Sequence, residues 1–319
     1  MSPLIELEDV AKRFTVHRKA GRIRRRRAEV TAVDGVSLAI EPGAMVGYIG
    51  PNGAGKSTTI KMLIGILVPT RGRVRVDGRD PSRDRVAVAR RIGVVFGQRT
   101  QLWWDLPLAD SFALLRHVYR VPAADHAARL DRLTELLDLG PFLATPVRQL
   151  SLGQRMRGEL AAALLHDPPI LFLDEPTIGL DLVSKEAVRG FLAELNRERG
   201  TTLLLTTHDL VDVERLCDRL LIIDRGRVIE DGTVEGIKAR YGGERTLVVD
   251  LERPAPPLEV EGAKVERVEG PRQWLRFRRD GHTASSLLAA VTARAAVRDI
   301  TVEEPAIEDV VRQIYGAGR

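Results

Sequence analysis

Nine consecutive residues, Gly50-Pro51-Asn52-Gly53-Ala54-Gly55-Lys56-Ser57-Thr58, carry the densest chemistry in the chain. They fit the spacing G-x-x-x-x-G-K-[ST], in which a glycine-rich loop turns its backbone N–H groups towards phosphate oxygens. Gly50, Gly53 and Gly55 let the backbone turn tightly and come close to those oxygens. The apolar run 44–49 before the loop reads as a buried strand, and 59–64 as the opening of a helix. A loop in that place gains the positive end of the helix dipole, so it suits a polyphosphate. Lys56 is then expected to reach the β- and γ-phosphates, and the Ser57 hydroxyl to ligate magnesium.

A second cluster lies downstream. Ile170-Leu171-Phe172-Leu173-Asp174-Glu175 is an apolar run closed by two acids. A buried parallel strand has this pattern, with its carboxylates at the carboxyl end where ligands bind. Asp174 is expected to hold magnesium through water, and Glu175 to polarise the attacking water as general base. A strand end capped by two solvated acids is the plain alternative, and the phosphate loop upstream favours the chemical one. Residues 201–207 read as another buried strand, ending at His208-Asp209. His208 and Glu175 would then meet at one sheet edge. The strand 92–96 leads into Gly97-Gln98-Arg99-Thr100-Gln101, where a glutamine reaches a metal or a water.

The elements that position these residues follow from length and pattern. The 319 residues suit one large α/β domain and a smaller one. A 44% hydrophobic content supplies a core. The lone Cys217 forms no internal disulfide and reads as a core filler. No signal peptide is expected, and no apolar run approaches the roughly 20 residues that span a bilayer. A cytosolic protein is expected, with any membrane role exercised through a partner. The formal charge is +5, and it matters where it clusters. The run 18–27 holds seven basic residues and no acid, and is expected to be a mobile, solvated loop. It reads as a contact for anionic lipid headgroups, at about 1 kcal/mol per residue near the surface, as a contact for nucleic acid phosphates, or as a plain insertion. Residues 4–10 before it alternate as a half-buried strand. Residues from about 106 to 166 carry helical spacing broken by Pro107, Pro122, Pro141 and Pro146. Residues 220–224 and 227–232 read as a hairpin. Composition shifts near 242, and 243–319 reads as a small α+β domain with no chemical constellation.

With these motifs in order, residues 4–240 resemble the nucleotide-binding subunit of an ATP-binding cassette (ABC) transporter. Leu150-Ser151-Leu152-Gly153-Gln154 is similar to the family signature, departing at Leu152 where glycine is usual. The resemblance implies that Ser151 and Gly153, with Gln154 beside them, serve the γ-phosphate. Gln98 matches the family's glutamine-loop residue if Gly97 is one extra residue, and Gln101 is the competing candidate. The segment 178–181, ending at Asp181, matches the loop that crosses a dimer interface. His208 matches the switch histidine, and Phe14 the aromatic that stacks on adenine, unless Phe14 is a core residue. The implied fold is α/β: a P-loop NTPase cassette core over 1–242, a helical subdomain inserted at about 99–166, and an accessory or regulatory α+β domain over 243–319. The implied cofactors are ATP and Mg2+. One subunit would supply the phosphate loop, Asp174, Glu175 and His208, with Gln98 as a further metal ligand. A second copy would supply Ser151 and Gly153, making a homodimer that sandwiches two ATP.

The segments 94–107 and 300–310 are similar to a narrower group, ATPases of bacterial efflux systems of the daunorubicin-resistance type. These pair with separate polytopic membrane subunits, which implies a peripheral exporter subunit on the cytoplasmic side of the cell membrane. In the family, Trp103 and Trp104 border the groove for that partner. Adjacent residues do not both face one core, so one is expected to be exposed, unless an irregular loop buries both. A soluble cassette ATPase acting on ribosomes or nucleic acid is the alternative from another class, and an importer the alternative within this one.

Overall fold

The apolar runs around the phosphate loop become neighbouring strands. The computed structural model describes residues 2–20, 24–97, 99–278 and 283–317. β1 (Ile5–Ala20) pairs antiparallel with β2 (Arg24–Ile40). β3 (Met45–Ile49) leads through the loop into α1 (Lys56–Leu63), and β4 (Arg71–Val76) returns to the other edge of β1. α2 (Arg85–Ala89) and β5 (Ile92–Phe96) follow. The proline-bounded stretch forms α3 (Leu108–Tyr119), α4 (Ala123–Leu136) and α5 (Leu152–Leu164). Strand and helix then alternate through β6 (Ile170–Asp174), α6 (Leu182–Arg199), β7 (Thr202–Thr206), α7 (Leu210–Leu216), β8 (Arg219–Asp224) and β9 (Arg227–Thr233).

The main sheet has the order β5-β6-β7-β3-β8-β9. β5, β6, β7, β3 and β8 run parallel. β3 and β7 are buried at every residue, so neither alternates: β3 is wholly apolar, and β7 is three leucines between two buried threonines. One core cluster joins Ile60, Met62 and Leu63 of α1 to Val46 and Tyr48 of β3. It also includes Ile5, Leu7, Ile40 and Val76 of the smaller sheet. Each such side chain contributes about 1.5–3 kcal/mol on burial, so α1 is held from both sides. Cys217 is buried, and burial pushes its thiol up to about 12, as befits a core filler.

The basic run departs from the expected loop. Main-chain pairing carries the ribbon on through Arg18 opposite Arg26, Lys19 opposite Arg25 and Ala20 opposite Arg24. The ladder hydrogen bonds of an antiparallel pair belong to the backbone, so the charge pattern did not reveal them. Residues 21–23 lie outside the described residues.

The chain divides into two compact units, Met1–Gly232 and Thr233–Arg319. The second opens with α8 (Val234–Tyr241) and continues through β10 (Glu244–Leu251), β11 (Ala263–Glu269), β12 (Arg272–Arg278), α9 (Ala284–Thr292), β13 (Val297–Glu303) and α10 (Ile307–Ala317). Its antiparallel sheet has the order β11-β12-β10-β13. Leu247, Val249, Leu275 and Phe277 pack there with Leu287 and Val291 of α9. Among the described residues no helix is long and apolar enough to cross a membrane.

His166 ties the end of α5 to β5. Its ring stacks on Tyr119 of α3, with centroids 3.9 Å apart and planes 2° from parallel. Nε2 donates to the Ile92 carbonyl at 2.9 Å, and Nδ1 is buried without a partner. Burial pushes the ring's pKa down to about 4 from the ordinary 6.5. The unfolded chain therefore takes up this proton first as pH falls. The stability His166 confers above pH 6.5 is lost on the way down to about pH 4. We expect the urea midpoint of the wild type to fall between about pH 7 and about pH 5. His166→Gln keeps a donor for Ile92 but does not titrate, so its midpoint should fall less. Equal slopes in the two proteins would refute this account.

Candidate functional site

Parallel pairing brings four loops to the carboxyl edge of one sheet. β3 leads into Gly50, β5 into Gly97, β6 from Asp174 into Glu175 and β7 into Thr207-His208. The register sets Phe96, Asp174 and Thr206 side by side on β5, β6 and β7. The loops enclose a cleft of about 850 Å³ lined by residues 51–58 together with Phe14, Arg99, Asp174, Glu175 and His208.

The phosphate loop is built for an anion. Gly55 caps α1 at φ 112°, where a Cβ would lie 2.5 Å from the Ala32 carbonyl oxygen. No side chain caps α1 and its first turn holds no acid. Its first N–H groups are therefore left for a ligand. Lys56 is buried, and its ammonium donates to the carbonyls of Gly50 at 2.5 Å and Pro51 at 3.2 Å. Burial lowers the Lys56 pKa, while Glu175 and Asp174 raise it. Ser57 Oγ donates to Asp174 Oδ2 at 3.4 Å, and Thr206 Oγ1 donates to Asp174 Oδ1. The hydroxyl and the carboxylate expected at magnesium thus face one another. An uncapped helix start, a buried ammonium and this pair are a donor set that fits a polyphosphate with a hard divalent cation.

Glu175 stands at φ 58°, a left-handed conformation. Such residues cost about 1–3 kcal/mol and persist where the surroundings impose them. Its N–H donates to the Thr206 carbonyl at 2.9 Å. Its Oε2 accepts from the His208 N–H at 3.2 Å, and its Oε1 lies 3.2 Å from His208 Nε2. Burial raises the Glu175 carboxyl above its ordinary range, and His208 and Lys56 oppose the rise. A carboxylate held this way is suited to take a proton from water.

Ser151, Gly153, Gln154 and Asp181 do not line this cleft. Ser151 caps α5: the Gln154 N–H donates to Ser151 Oγ at 3.2 Å, and the Ser151 N–H to Gln154 Oε1 at 2.9 Å. Asp181 caps α6 by accepting from the Ser184 N–H at 2.9 Å and its hydroxyl at 2.8 Å. These bonds hold the Asp181 carboxyl below its usual range. The departing residue, Leu152, lies against Gly179: a Cβ on that glycine would sit 2.9 Å from Leu152 Cδ2.

Gln98 lies outside the described residues, although Gly97 and Arg99 on either side line the cleft. The Gly97 N–H donates to Asp174 O at 2.8 Å, and a Cβ there would meet Glu175 O at 2.2 Å, so the extra residue has to be glycine. The rival Gln101 points elsewhere. Its amide Nε2 donates to the carbonyls of Val94 at 3.4 Å and Glu159 at 3.3 Å. An exposed tryptophan was expected and both are exposed, Trp103 at 40% and Trp104 at 49%, which overturns the alternative of a loop that buries both. Sequence reasoning missed Thr206 and Arg99. Only the β6–β7 register puts Thr206 beside Asp174, and Arg99 carried no motif.

The comparisons with known proteins agree with this geometry. The family described as "ABC transporter" matches residues 33–178. The family described as "ATP-binding protein DrrA1-3-like, C-terminal domain" matches residues 232–315. The daunorubicin resistance ATP-binding protein DrrA3 of Streptomyces coeruleorubidus is 40% identical over 225 residues, covering 70% of this chain and 71% of that protein. The methionine import ATP-binding protein MetN of Geobacillus kaustophilus is 38% identical over 209 residues, covering 64% of this chain and 61% of that one. The dimeric post-hydrolysis structure of the ATP-binding cassette MJ0796, bound to ADP and phosphate, superposes with a TM-score of 0.62 at 28% identity. It covers 72% of this chain and 98% of that one. With the phosphate loop, the acid pair and the parallel sheet in place, the chain belongs to the ABC transporter ATP-binding family and is an ATPase of the P-loop NTPase fold.

Proposed function

We propose that this ATPase is the motor subunit of an exporter, acting as a homodimer on separate polytopic membrane subunits from the cytoplasmic face. The observation that carries the dimer is the division of the site. Lys56, Ser57, Asp174, Glu175 and His208 gather around one cleft, and Ser151 and Gly153 lie outside it on the same chain. A second copy is the source of a signature helix for that cleft, which the dimeric form of MJ0796 supports by analogy. Export is favoured over import by the DrrA-like domain matched at 232–315. A soluble ATPase serving ribosomes or nucleic acid is not favoured, since the matched relatives are transport subunits.

In this scheme Phe14 stacks on the base, and the loop N–H groups and Lys56 hold the phosphates. Magnesium, held by Ser57, Asp174 and Gln98, would neutralise charge on the transferred phosphoryl group. Glu175 takes the proton from the attacking water, and His208 orients the Glu175 carboxylate through the contacts described above. Ser151 and Gly153 of the second copy cover the γ-phosphate.

Glu175→Gln should lower kcat by about 10²–10⁴-fold while ATP binding survives, and size-exclusion chromatography with ATP should then find a stable dimer. A monomer with full turnover would refute both the base and the dimer. Lys56→Ala should abolish nucleotide binding in equilibrium titration, and unchanged affinity would remove the cradle from the account. Thr206→Val strips a hydrogen bond from Asp174. The magnesium concentration for half-maximal turnover should rise about 10–100-fold, the usual cost of losing an outer-shell partner, and an unchanged value would show that Asp174 needs no such support. Affinity capture of Glu175→Gln with ATP from native membranes should return a stoichiometric polytopic membrane protein. Recovery of ribosomal proteins or nucleic acid alone would overturn the transporter assignment.

A further inference from the structure

One buried ionic cluster lies behind the cleft and has no part in the scheme above. Asp212, in the first turn of α7, is fully buried. Its carboxylate gathers donors from three separate parts of the chain. Arg189 of α6 reaches Oδ1 through Nε at 2.6 Å and Nη2 at 2.5 Å. The hydroxyls of Thr177 and Thr207 donate to Oδ2 at 2.5 Å and 3.2 Å. Thr177 lies two residues after Glu175, and Thr207 immediately precedes His208. α6 adds a second grip one turn earlier, where Lys185 pairs with Asp209 at 2.5 Å. The same helix is capped by Asp181, the last residue of the loop matched to the dimer interface.

Stability alone does not account for this arrangement. Burying a carboxylate and a guanidinium carries a large desolvation cost, and apolar residues of similar volume often hold a fold as well or better. Apolar contacts leave neighbours free to slide. Charge-assisted hydrogen bonds to two fixed oxygens do not, because direction and distance are both set. The two groups that have to meet, Glu175 and His208, stand on loops just beyond strand ends, and the His208 side chain is 51% exposed. Glu175 is largely buried, so the hydrogen bonds on the His208 side matter most for their separation of 3.2 Å.

We infer that Asp212 is a positioning residue for hydrolysis: through Thr177 and Thr207 it holds the loops bearing Glu175 and His208 in register, and through Arg189 it ties both loops to α6. The inference rests on Glu175 and His208 acting as proposed. It gives the interface loop a mechanical route to the reacting edge, since α6 carries its cap at one end and the grip on Asp212 two turns along.

The test uses the full-length protein, with steady-state ATPase kinetics and thermal melting. Thr177→Val removes one donor and keeps the side chain's shape. Its kcat should fall on the order of tenfold to a hundredfold, the size of effect that small misplacements of reacting groups produce. KM for ATP should stay within about twofold, as expected when only transition-state geometry is lost. Thr177→Ser, which restores the hydroxyl, should recover most of the rate. Wild-type kcat in folded Thr177→Val, a loss that serine does not restore, or a loss that appears in KM instead would overturn the inference. If Thr177→Val does not fold, Thr207→Val reads the same carboxylate from the other loop by the same criteria. Glu175→Gln in the same assay separates the two levels. If it keeps its turnover, the proposed chemistry fails and the inference with it. If it is inactive while Thr177→Val and Thr207→Val turn over normally, only the inference fails.

Discussion

The register of β6 against β7, which sets Asp174 opposite Thr206, is the constraint on which the site depends. Side chains alternate across a strand, so a slip of one residue would turn Asp174 to the other face of the sheet. It would take the carboxylate from Ser57 and Thr206 together. The same ladder, continued to β5 and β3, puts the phosphate loop, Gly97, Glu175 and His208 at one edge. Parallel strands enter the sheet from the same side, so their following loops leave on the same side. A site assembled from segments more than a hundred residues apart needs that shared direction.

Burial then tunes the groups that the ladder assembles. It pushes the Lys56 ammonium down and the Glu175 carboxyl up, each towards its neutral form, while the pair's mutual attraction opposes both shifts. A half-desolvated acid beside an imidazole and an ammonium is therefore kept ionisable without being strongly solvated. The uncapped start of α1 contributes a fixed positive end to the same space. These effects follow from where the strands stop, where α1 starts and how deeply Lys56 and Glu175 are buried.

The residues outside the cleft follow a different logic. Ser151 and Asp181 each satisfy the orphan N–H groups of their own helix, α5 and α6. Ser151 and Asp181 themselves are exposed, while Gly153 is buried against Ser184 of α6. Leu152 against Gly179 joins these two starts, so the signature's departure from its usual glycine falls at a contact between α5 and the loop that leads into α6.

The phosphate loop, the acid pair and His208 were legible in the sequence because each sits at the end of an apolar run, and both the run and its terminus are local patterns. The helical insertion was legible for the same reason, through its spacing and its prolines. The pairing of the basic run, the exposure of both tryptophans and the inward turn of Gln101 were not. Each depends on what lies across a strand or beneath a helix. Thr206 beside Asp174 and Asp212 beneath Thr177 were equally invisible, since their partners lie 32 and 35 positions away and are brought in by register and helix docking. The sequence by itself determined the buried parallel strands, the loop with phosphate-cradle spacing after β3 and the acids that close β6. Only the tertiary structure decided which oxygen meets which donor, because hydrogen-bond geometry is set by elements packing on one another and no single segment encodes it.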